Sequence, residues 1–470
     1  MNNSYDIFSY DKKLNHFNIS SIVLEPKRTI YNNIAQLLGY KGRAIIELVI
    51  NPKPLVLWDF ECLDKDALFN SNFNVDSFFS HKEIANLLAD KITILKPRCK
   101  KVSGVGSKTK DKYSEFHASG YSREFVIGEI DSEFNALHIY IPNFYVHAIC
   151  KEHSIKRDDA RWKLGDKSTH IFDVDFMNEW TISFETRAAS LDWMNNRFGN
   201  VGIFITTIAK LWGKEGANKK ATLGDLKNDL EQLFMLLSFA NGGYINPILY
   251  CSYNRDDEDK QFIYFNSEKE ISSLEDIGRS WFMNVSDIKK YIECYDEFSS
   301  LLRNGWCSAY KLILANYLIA ISTDSWQIAA SSIGAVIERL SYLLLVEDEK
   351  DATVKNSNTK LFKPGQSKQR LKCALEKIGL IESRGIDDIN YVSDFIDTRN
   401  DAVHPINQKV PDDKRWELIR YGIQWAEEMF LYRIGYSGWY GNRISKSERD
   451  HQPFNAGNGN FVPRYFVKKT

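Results

Sequence analysis

The spacing of hydrophobic and polar positions changes along this chain, and the change comes near residue 280. Between about residues 44 and 265, short runs rich in β-branched and aromatic residues recur, with partial alternation of apolar and polar positions. Such runs are typical of half-buried antiparallel strands. The runs that predict strands are 44–50, 55–58, 136–141, 181–185 and 201–207.

One helix is predicted inside this β-rich part. Five leucines recur there every three to four residues, at Leu223, Leu226, Leu230, Leu233 and Leu237. This spacing places them on one face of a helix, and the two glycines at 242 and 243 are suited to end it.

After about residue 280 the apolar positions follow the helical period instead. Six stripes predict six helices, at 288–302 (with Gly305 as a stop), 309–321, 333–344, 371–378, 389–403 and 416–430. Thr323, Asp324 and Ser325 are N-cap candidates before the third, and Pro411 begins the sixth. Amphipathic helices joined by mostly short loops are typical of an antiparallel bundle.

Together these patterns predict an α+β multidomain protein, in which a β-rich N-terminal region with a few helices precedes an all-α helical bundle. We expect residues 1–275 to form the β-rich region, with room for two subdomains, and residues 280–440 to form the bundle. Residues 441–470, with their run of Asn and Gly at 455–460, are expected to be a polar tail.

The composition of the chain argues against several classes of protein. The chain has 43% hydrophobic and 26% charged residues, which excludes a disordered chain. Its 61 basic and 62 acidic residues nearly balance, which argues against a protein held on nucleic acid by bulk charge. Seven scattered cysteines without a CxxC pair suit reduced thiols. The first residues lack the pattern of a secretory signal, and no apolar stretch reaches the ~18 residues of a membrane span, so we expect a cytoplasmic protein.

Several patterns resemble sites without matching them. The string 104–109 resembles a phosphate loop, but Ser107 separates its glycine from its lysine. The basic run 96–112 is expected to be a solvated mobile loop rather than a contact with nucleic acid. Asp173 and Asp175 share one face of a strand, as a metal nuclease would need, although surface acids on strands are common. His138, His147, His153 and His170 lack the pairing of a helical zinc site.

The hexapeptide Arg399-Asn400-Asp401-Ala402-Val403-His404 carries the strongest candidate chemistry. Arg399 lies beside the predicted stripe of Val392, Ile396 and Val403, where a guanidinium is costly unless something pairs with it. Asn400 and His404 stand one helical turn apart, and Pro405 places His404 at the helix end. Two interpretations stay open. In the first, an anion such as phosphate satisfies Arg399. In the second, the residue is structural, and Arg399 either pairs with a nearby acid such as Asp394 or Asp397 or caps the helix end together with His404.

This Arg-Asn-x-x-x-His string, late in a helical domain, resembles the signature of HEPN ribonucleases. The stretch 326–432, with Gly334 to Glu338 in a long helix, is similar to the ApeA-like HEPN branch of bacterial anti-phage defence proteins. The resemblance covers about 280–440, and around 230–247 the N-terminal part resembles that of the same group only loosely. It implies a latent, abortive-infection endoribonuclease that needs no metal or cofactor. Two copies of the motif would meet in a homodimer.

The resemblance assigns roles to particular residues. His404 is expected to act as general acid or base, Arg399 to stabilise charge on the scissile phosphate, and Asn400 to orient His404 or the phosphate. The products expected are a 2′,3′-cyclic phosphate and a 5′-hydroxyl end. Glu338, as a possible partner of Arg399 or a solvent-facing acid, and Asp401 are candidates for supporting residues.

RNA, with tRNA as one candidate, is the expected substrate, and a phage-derived trigger is expected at the N-terminal region. Lysines in the segment 350–368 are candidates for RNA binding, although a disordered surface loop explains them equally well: Lys355, Lys360, Lys363 and Lys368. The alternative function is a non-catalytic HEPN-like module that dimerises or binds a nucleotide.

Overall fold

The computed structural model describes most, but not all, of the chain. The described residues are 10–11, 16–17, 27–37, 40–50, 54–62, 87–89, 92–106, 113–144, 157–158, 161–162, 169–177, 179–186, 203, 205–214, 219–253, 260–273, 285–379, 386–404, 409–437, 439–440, 443 and 464–465. Pro405, His147, His153, residues 107–112 of the basic run and the Asn/Gly run at 455–460 lie outside them, as do the side chain of His170 and residues 201, 202 and 204 of the predicted strand 201–207.

The chain divides into two compact units, and the predicted α+β class is confirmed. The first unit comprises residues 1–146, 150–231 and 245–275, and the second comprises 147–149, 232–244 and 276–470. The first is dominated by antiparallel strands, and the helices of the C-terminal region belong to the second. The change of hydrophobic period near residue 280 therefore marks a real change of architecture.

Fourteen strands form one sheet in the first unit. In chain order β1–β14 are Lys27–Leu37, Tyr40–Val49, Leu55–Cys62, Leu87–Ala89, Ile92–Leu95, Arg98–Gly106, Tyr113–Ser122, Glu124–Gly128, Ala136–Pro142, Thr169–Phe176, Trp180–Thr186, Ile205–Gly213, Leu249–Tyr253 and Lys260–Asn266. Their order across the sheet is β10-β11-β12-β9-β13-β14-β8-β5-β4-β1-β2-β3-β7-β6. Every described pairing in it is antiparallel.

Alternation explains why these segments are strands. In β2, Ala44, Ile46 and Leu48 point to one face and are almost fully buried, and β3 pairs with β2 so that its own apolar residues join the same core. Burying one face of each strand in this way fixes the register, because a slip of one residue would expose the whole set.

The described residues also contain three two-stranded ribbons. They pair Tyr10–Asp11 with His16–Phe17, Arg157–Asp158 with Arg161–Trp162, and Trp439–Tyr440 with Arg464–Tyr465.

Nine α-helices lie within the described residues. In chain order α1–α9 are Leu223–Asn241, Val285–Ile292, Tyr295–Leu301, Cys307–Ser322, Trp326–Tyr342, Ala352–Thr359, Ser367–Lys377, Ile386–Val403 and Asp412–Arg433. The π-helical turns Leu302–Trp306 and Leu343–Glu347 follow α3 and α5, and the 3-10 turn Lys360–Phe362 follows α6. As predicted, Ser325 caps α5 by accepting a hydrogen bond from the amide of Ile328, and Gly242 follows α1 with a positive φ.

The structure bears out one expectation for the helical region and corrects another. Gly305 interrupts the helix as predicted, because it and Asn304 have non-helical backbone angles, with φ +96° at Gly305, and α4 begins two residues later. Residues 352–359 are helical, not a disordered loop, because the Asp351 carboxylate accepts hydrogen bonds from the amides of Thr353 and Val354.

Helix α5 lies at the centre of the helical region, where α4, α8 and α9 pack against it. Contrary to the expectation that no apolar stretch is as long as a membrane span, the segment 326–347 passes that test by length and composition. Two thirds of its apolar window is buried inside the protein, as in the core helix of a folded domain. At Gly422, a Cβ atom would come within 2.4 Å of the Phe395 ring. Glycine there lets α8 and α9 approach closely and so positions the helix that carries Arg399.

Candidate functional site

Arg399 lies where α8 crosses the middle of α5, and its side chain is half-buried. A Cβ atom at Gly334 of α5 would stand 2.8 Å from Cγ of Arg399, so any side chain there would force one of the two groups to shift. Glycine at 334 therefore makes the space through which the arginine reaches the surface. The stripe beside it is only partly as predicted. Val392 and Ile396 are buried, but Val403 is 47% exposed because the last turn of α8 leaves the core.

The Arg399 guanidinium pairs with no carboxylate among the described residues. Its only hydrogen bond there runs from one terminal nitrogen to Oδ1 of Asn400, at 3.3 Å. Asp397, one of the two acids expected to compete for it, instead accepts from Nζ of Lys368 at 2.9 Å and lies 3.9 Å from Nζ of Lys409. Asp394 is exposed and also forms no ion pair with it within this part of the chain. The internal pairing that would have neutralised Arg399 is therefore not what the structure shows.

Arg399 and Asn400 line an open pocket of about 440 Å³ formed by α5, α7, α8 and the segment before α7. Among the described residues, four basic side chains line this pocket and one acidic one, Glu338. The basic ones are Arg399, Arg370, Lys363 and Lys368. Because Lys368 pairs with Asp397 and Arg370 pairs with Glu338, the excess of positive charge among the described residues is carried chiefly by Arg399 and Lys363. We call this space the arginine pocket.

Arg370 is the member of the arginine pocket that sequence reasoning missed. It is buried, forms an ion pair with Glu338 at 3.3 Å, and lies 4.9 Å above the ring of Phe362. Burial lowers the pKa of Arg370, Glu338 acts in the opposite direction, and Arg399 lowers it further. Two guanidinium groups therefore share one pocket with a single carboxylate. Glu338, a predicted partner of Arg399, is bound to Arg370 instead.

His404 lies at the exposed end of α8 and does not line the arginine pocket. Its amide donates to the carbonyl of Asn400 at 2.7 Å, so the helical hydrogen bonding persists to the histidine and places it one turn from Asn400. Its imidazole forms no hydrogen bond or ion pair with any described residue. The motif therefore presents Arg399 and Asn400 to the pocket and His404 to solvent beside it.

Asp401 has a structural part in this arrangement. It is only 3% exposed, and its Oδ2 accepts hydrogen bonds from the amides of Lys409 and Val410 at 2.8 and 3.0 Å. These bonds tie the end of α8 to the start of α9, and so they fix the corner from which His404 projects.

The four candidate lysines separate into two pairs. Lys363 and Lys368 line the arginine pocket, whereas Lys355 and Lys360 lie on α6 and the 3-10 turn after it and do not. Lys363 is exposed and its ammonium group has no partner among the described residues, which leaves it available to an anion.

The remaining sequence candidates do not assemble into a site. Asp173 and Asp175 do share the exposed face of β10, and Asp175 pairs with Lys214 at 3.0 Å. No group of three potential metal ligands occurs among the described residues. His138 is fully buried in β9, and residues 98–106 of the basic run form strand β6 rather than a loop.

Comparison with known proteins gives one family match. Residues 303–452, about a third of the chain, match the family described as the YopA C-terminal domain. That region contains the arginine pocket and the whole 399–404 motif. No curated protein and no solved structure matches the chain.

Proposed function

We propose that this protein is a metal-independent endoribonuclease that binds the scissile phosphate of RNA in the arginine pocket. The observation that carries the proposal is the half-buried Arg399 guanidinium, which has no carboxylate partner among the described residues and shares its pocket with Arg370 and Lys363. A partly buried cation of this kind is costly until an anion binds it. Arginine offers a phosphate two parallel N–H donors, which makes it the preferred residue for such a contact.

In this mechanism Arg399 neutralises the charge that builds on the phosphate as the ribose 2′-oxygen attacks. Asn400 accepts a hydrogen bond from Arg399 and so orients the guanidinium. His404 transfers the proton, taking it from the 2′-hydroxyl or giving it to the leaving 5′-oxygen. The cleaved strand then ends in a 2′,3′-cyclic phosphate, and the new strand begins with a 5′-hydroxyl.

One chain supplies one histidine, whereas this reaction gains from both a base and an acid. A homodimer with twofold symmetry would supply both, because each exposed His404 could approach the arginine pocket of the other copy. We place the protein in the cytoplasm as an anti-phage effector, latent until a phage-derived trigger acts on its N-terminal region. RNA, tRNA among its forms, is the proposed substrate.

A second candidate function has an observation of its own in its favour. The His404 imidazole lies outside the arginine pocket and no described residue orients it. A module that only binds a phosphate or nucleotide, or only dimerises, needs Arg399, Arg370 and Lys363 but no oriented histidine.

Incubation of the purified chain with total RNA in EDTA tests the proposal. We expect cleavage with cyclic phosphate ends in the wild type, and a loss of at least about 100-fold in Arg399→Ala and in His404→Ala. Arg420→Ala is the matched control, because Arg420 is exposed on α9 outside the pocket. The same set is expressed in bacteria with and without phage, which covers the case of a latent enzyme.

Each outcome separates the candidates. Cleavage retained in both site variants refutes the assignment of the motif. Binding of RNA without cleavage, in vitro and in infected cells, favours the second candidate. Cleavage that EDTA abolishes would instead favour a metal-dependent nuclease that uses Asp173 and Asp175.

A further inference from the structure

A second pocket, of about 660 Å³, opens next to the arginine pocket. Three aromatic side chains line it: Trp306, Tyr342 and Phe362. It forms where the helical chain kinks at Gly305, whose φ of +96° is a left-handed conformation that favours glycine. The kink carries Trp306 to the side of α5 on which Tyr342 stands. We call this space the aromatic pocket.

The two pockets adjoin, because Glu338 and Phe362 line both. The ring of Phe362 stands between them. Arg370 lies 4.9 Å from its centroid, and the ring of Tyr342 meets it edge-on at 5.0 Å. A ligand held at Arg399 therefore has a second pocket directly beside it, across the Phe362 ring, in which its next part can lie.

The aromatic surfaces in this space are available to a ligand. Trp306 is half-buried, and its indole makes no hydrogen bond or ring contact with any described residue. Tyr342 is 38% exposed, although large apolar side chains of this unit are mostly buried. Flat, accessible aromatic rings of this kind bind unpaired bases by stacking, and every base has a face to stack.

Charge distinguishes the two pockets. The aromatic pocket is lined by the carboxylates of Glu338 and Glu347 and by one basic side chain, Arg339, whereas basic residues outnumber acidic ones four to one in the arginine pocket. Glu347 is exposed and has no ion-pair partner among the described residues. Carboxylates repel phosphate but accept hydrogen bonds from the amino groups of bases.

We propose that the aromatic pocket binds one unpaired base of an RNA strand whose phosphate lies in the arginine pocket. The base stacks against Trp306 and Tyr342, and a base with an exocyclic amino group is favoured over uracil because Glu347 accepts from that group. This inference rests on the proposed function for the position of the phosphate, but it concerns recognition and not cleavage.

Binding of short fluorescent single-stranded RNAs, followed by anisotropy in a His404→Ala background that keeps the strand intact, tests this proposal. Trp306→Ala should weaken binding of oligoadenylate about tenfold. Trp416→Ala is the matched control, because Trp416 is exposed on α9 outside both pockets, and it should change binding less than twofold. Tyr342→Ala should also weaken binding, and its exposed ring can be removed with little risk to folding. Glu347→Gln should reduce the preference for oligoadenylate over oligouridylate.

The outcomes distinguish this proposal from the proposed function. Equal effects of Trp306→Ala and Trp416→Ala, or equal binding of an abasic strand, overturn the base subsite while leaving cleavage untouched. Binding that depends on Trp306 while total RNA stays intact under every condition overturns the nuclease and keeps the subsite. If the wild-type fold binds no single-stranded RNA, the subsite is overturned, and the cleavage assay decides the function by itself.

Discussion

Two arginines in the helical region are placed in contrasting surroundings. Arg443, whose side chain is only 9% exposed, donates from Nε to both carboxylate oxygens of Glu427, at 2.8 and 3.0 Å. The hydroxyl of Tyr317 donates to the same carboxylate at 2.5 Å, and Gln424 accepts from the amide of Arg443. Burial, reinforced by Glu427, raises the pKa of Tyr317 well above its ordinary value, so that it stays a donor.

Arg399 has none of these partners. It reaches a pocket between α5 and α8, where it meets an amide oxygen and a second guanidinium instead of a carboxylate. Groups of the fold itself satisfy Arg443, whereas no carboxylate among the described residues pairs with Arg399. The difference teaches that the burial of an arginine is not informative by itself, and that its partners must be identified before a structural role is assigned to it.

The largest expected difference between the two arginine sites is in the free energy of unfolding when each site is mutated. Glu427→Gln removes the charge that holds Arg443, and loss of one partner of a buried ion pair costs about 3–5 kcal/mol. Arg399→Ala removes no ion pair and should change the free energy of unfolding by less than about 1 kcal/mol. Urea denaturation of both variants measures this difference.

A double variant sharpens the same comparison. Adding Arg443→Met to Glu427→Gln should recover part of the lost stability, because it removes the charge that was left without a partner. A small loss in the single variant, or no recovery in the double one, would show that the Arg443 cluster does not stabilise the fold as described.

A smaller effect, on activity and not on stability, is expected from Gly334→Ala. Alanine favours a helix over glycine by about 1 kcal/mol, but its Cβ would stand 2.8 Å from Cγ of Arg399 and force the side chain to move. We expect cleavage or RNA binding to fall by about tenfold to 100-fold, with the melting temperature unchanged or raised. Gly224→Ala is the matched control, since a Cβ there meets only the Thr222 hydroxyl at 3.5 Å. Unchanged activity in Gly334→Ala would argue against Arg399 as the phosphate ligand.

The smallest effect concerns two lysines three positions apart. Lys363 lines the arginine pocket and Lys360 does not. Lys363→Ala should make the negative slope of log affinity against log salt shallower by about 0.7 for a single strand, because one phosphate contact is lost. Lys360→Ala should leave the slope unchanged. Equal slopes for both variants would favour a general surface effect over a phosphate contact in the pocket.

Features set by local chemistry could be predicted from the sequence. The leucine spacing of α1 and the serine that caps α5 act within one or two turns, and both predictions hold. Helix α6 was missed because none of its residues is buried, so it has no apolar stripe, and one carboxylate at Asp351 starts it. The exposure of Val403 was missed because the spacing of apolar residues does not indicate at which residue a helix extends beyond the helices that pack against it.

The candidate site was only partly accessible to the same reasoning. The string from Arg399 to His404 stood out because its polar residues lie beside an apolar stripe. Arg370 did not, since its pairing with Glu338 joins residues 32 positions apart in the chain, and nothing local indicates it. A glycine at 334, in the middle of an otherwise good helix, was the one signal available that something large must cross there.

The position of Phe362 has a thermodynamic consequence. Its ring is a shared wall, with a guanidinium on one side and a tyrosine on the other. A ligand in the arginine pocket that displaces this ring changes the volume of the aromatic pocket, and so the affinity of that pocket for its own ligand. By thermodynamic linkage, a ligand in the aromatic pocket then changes the affinity of the arginine pocket by the same factor. The two parts of a bound strand would thus be coupled through one benzyl group.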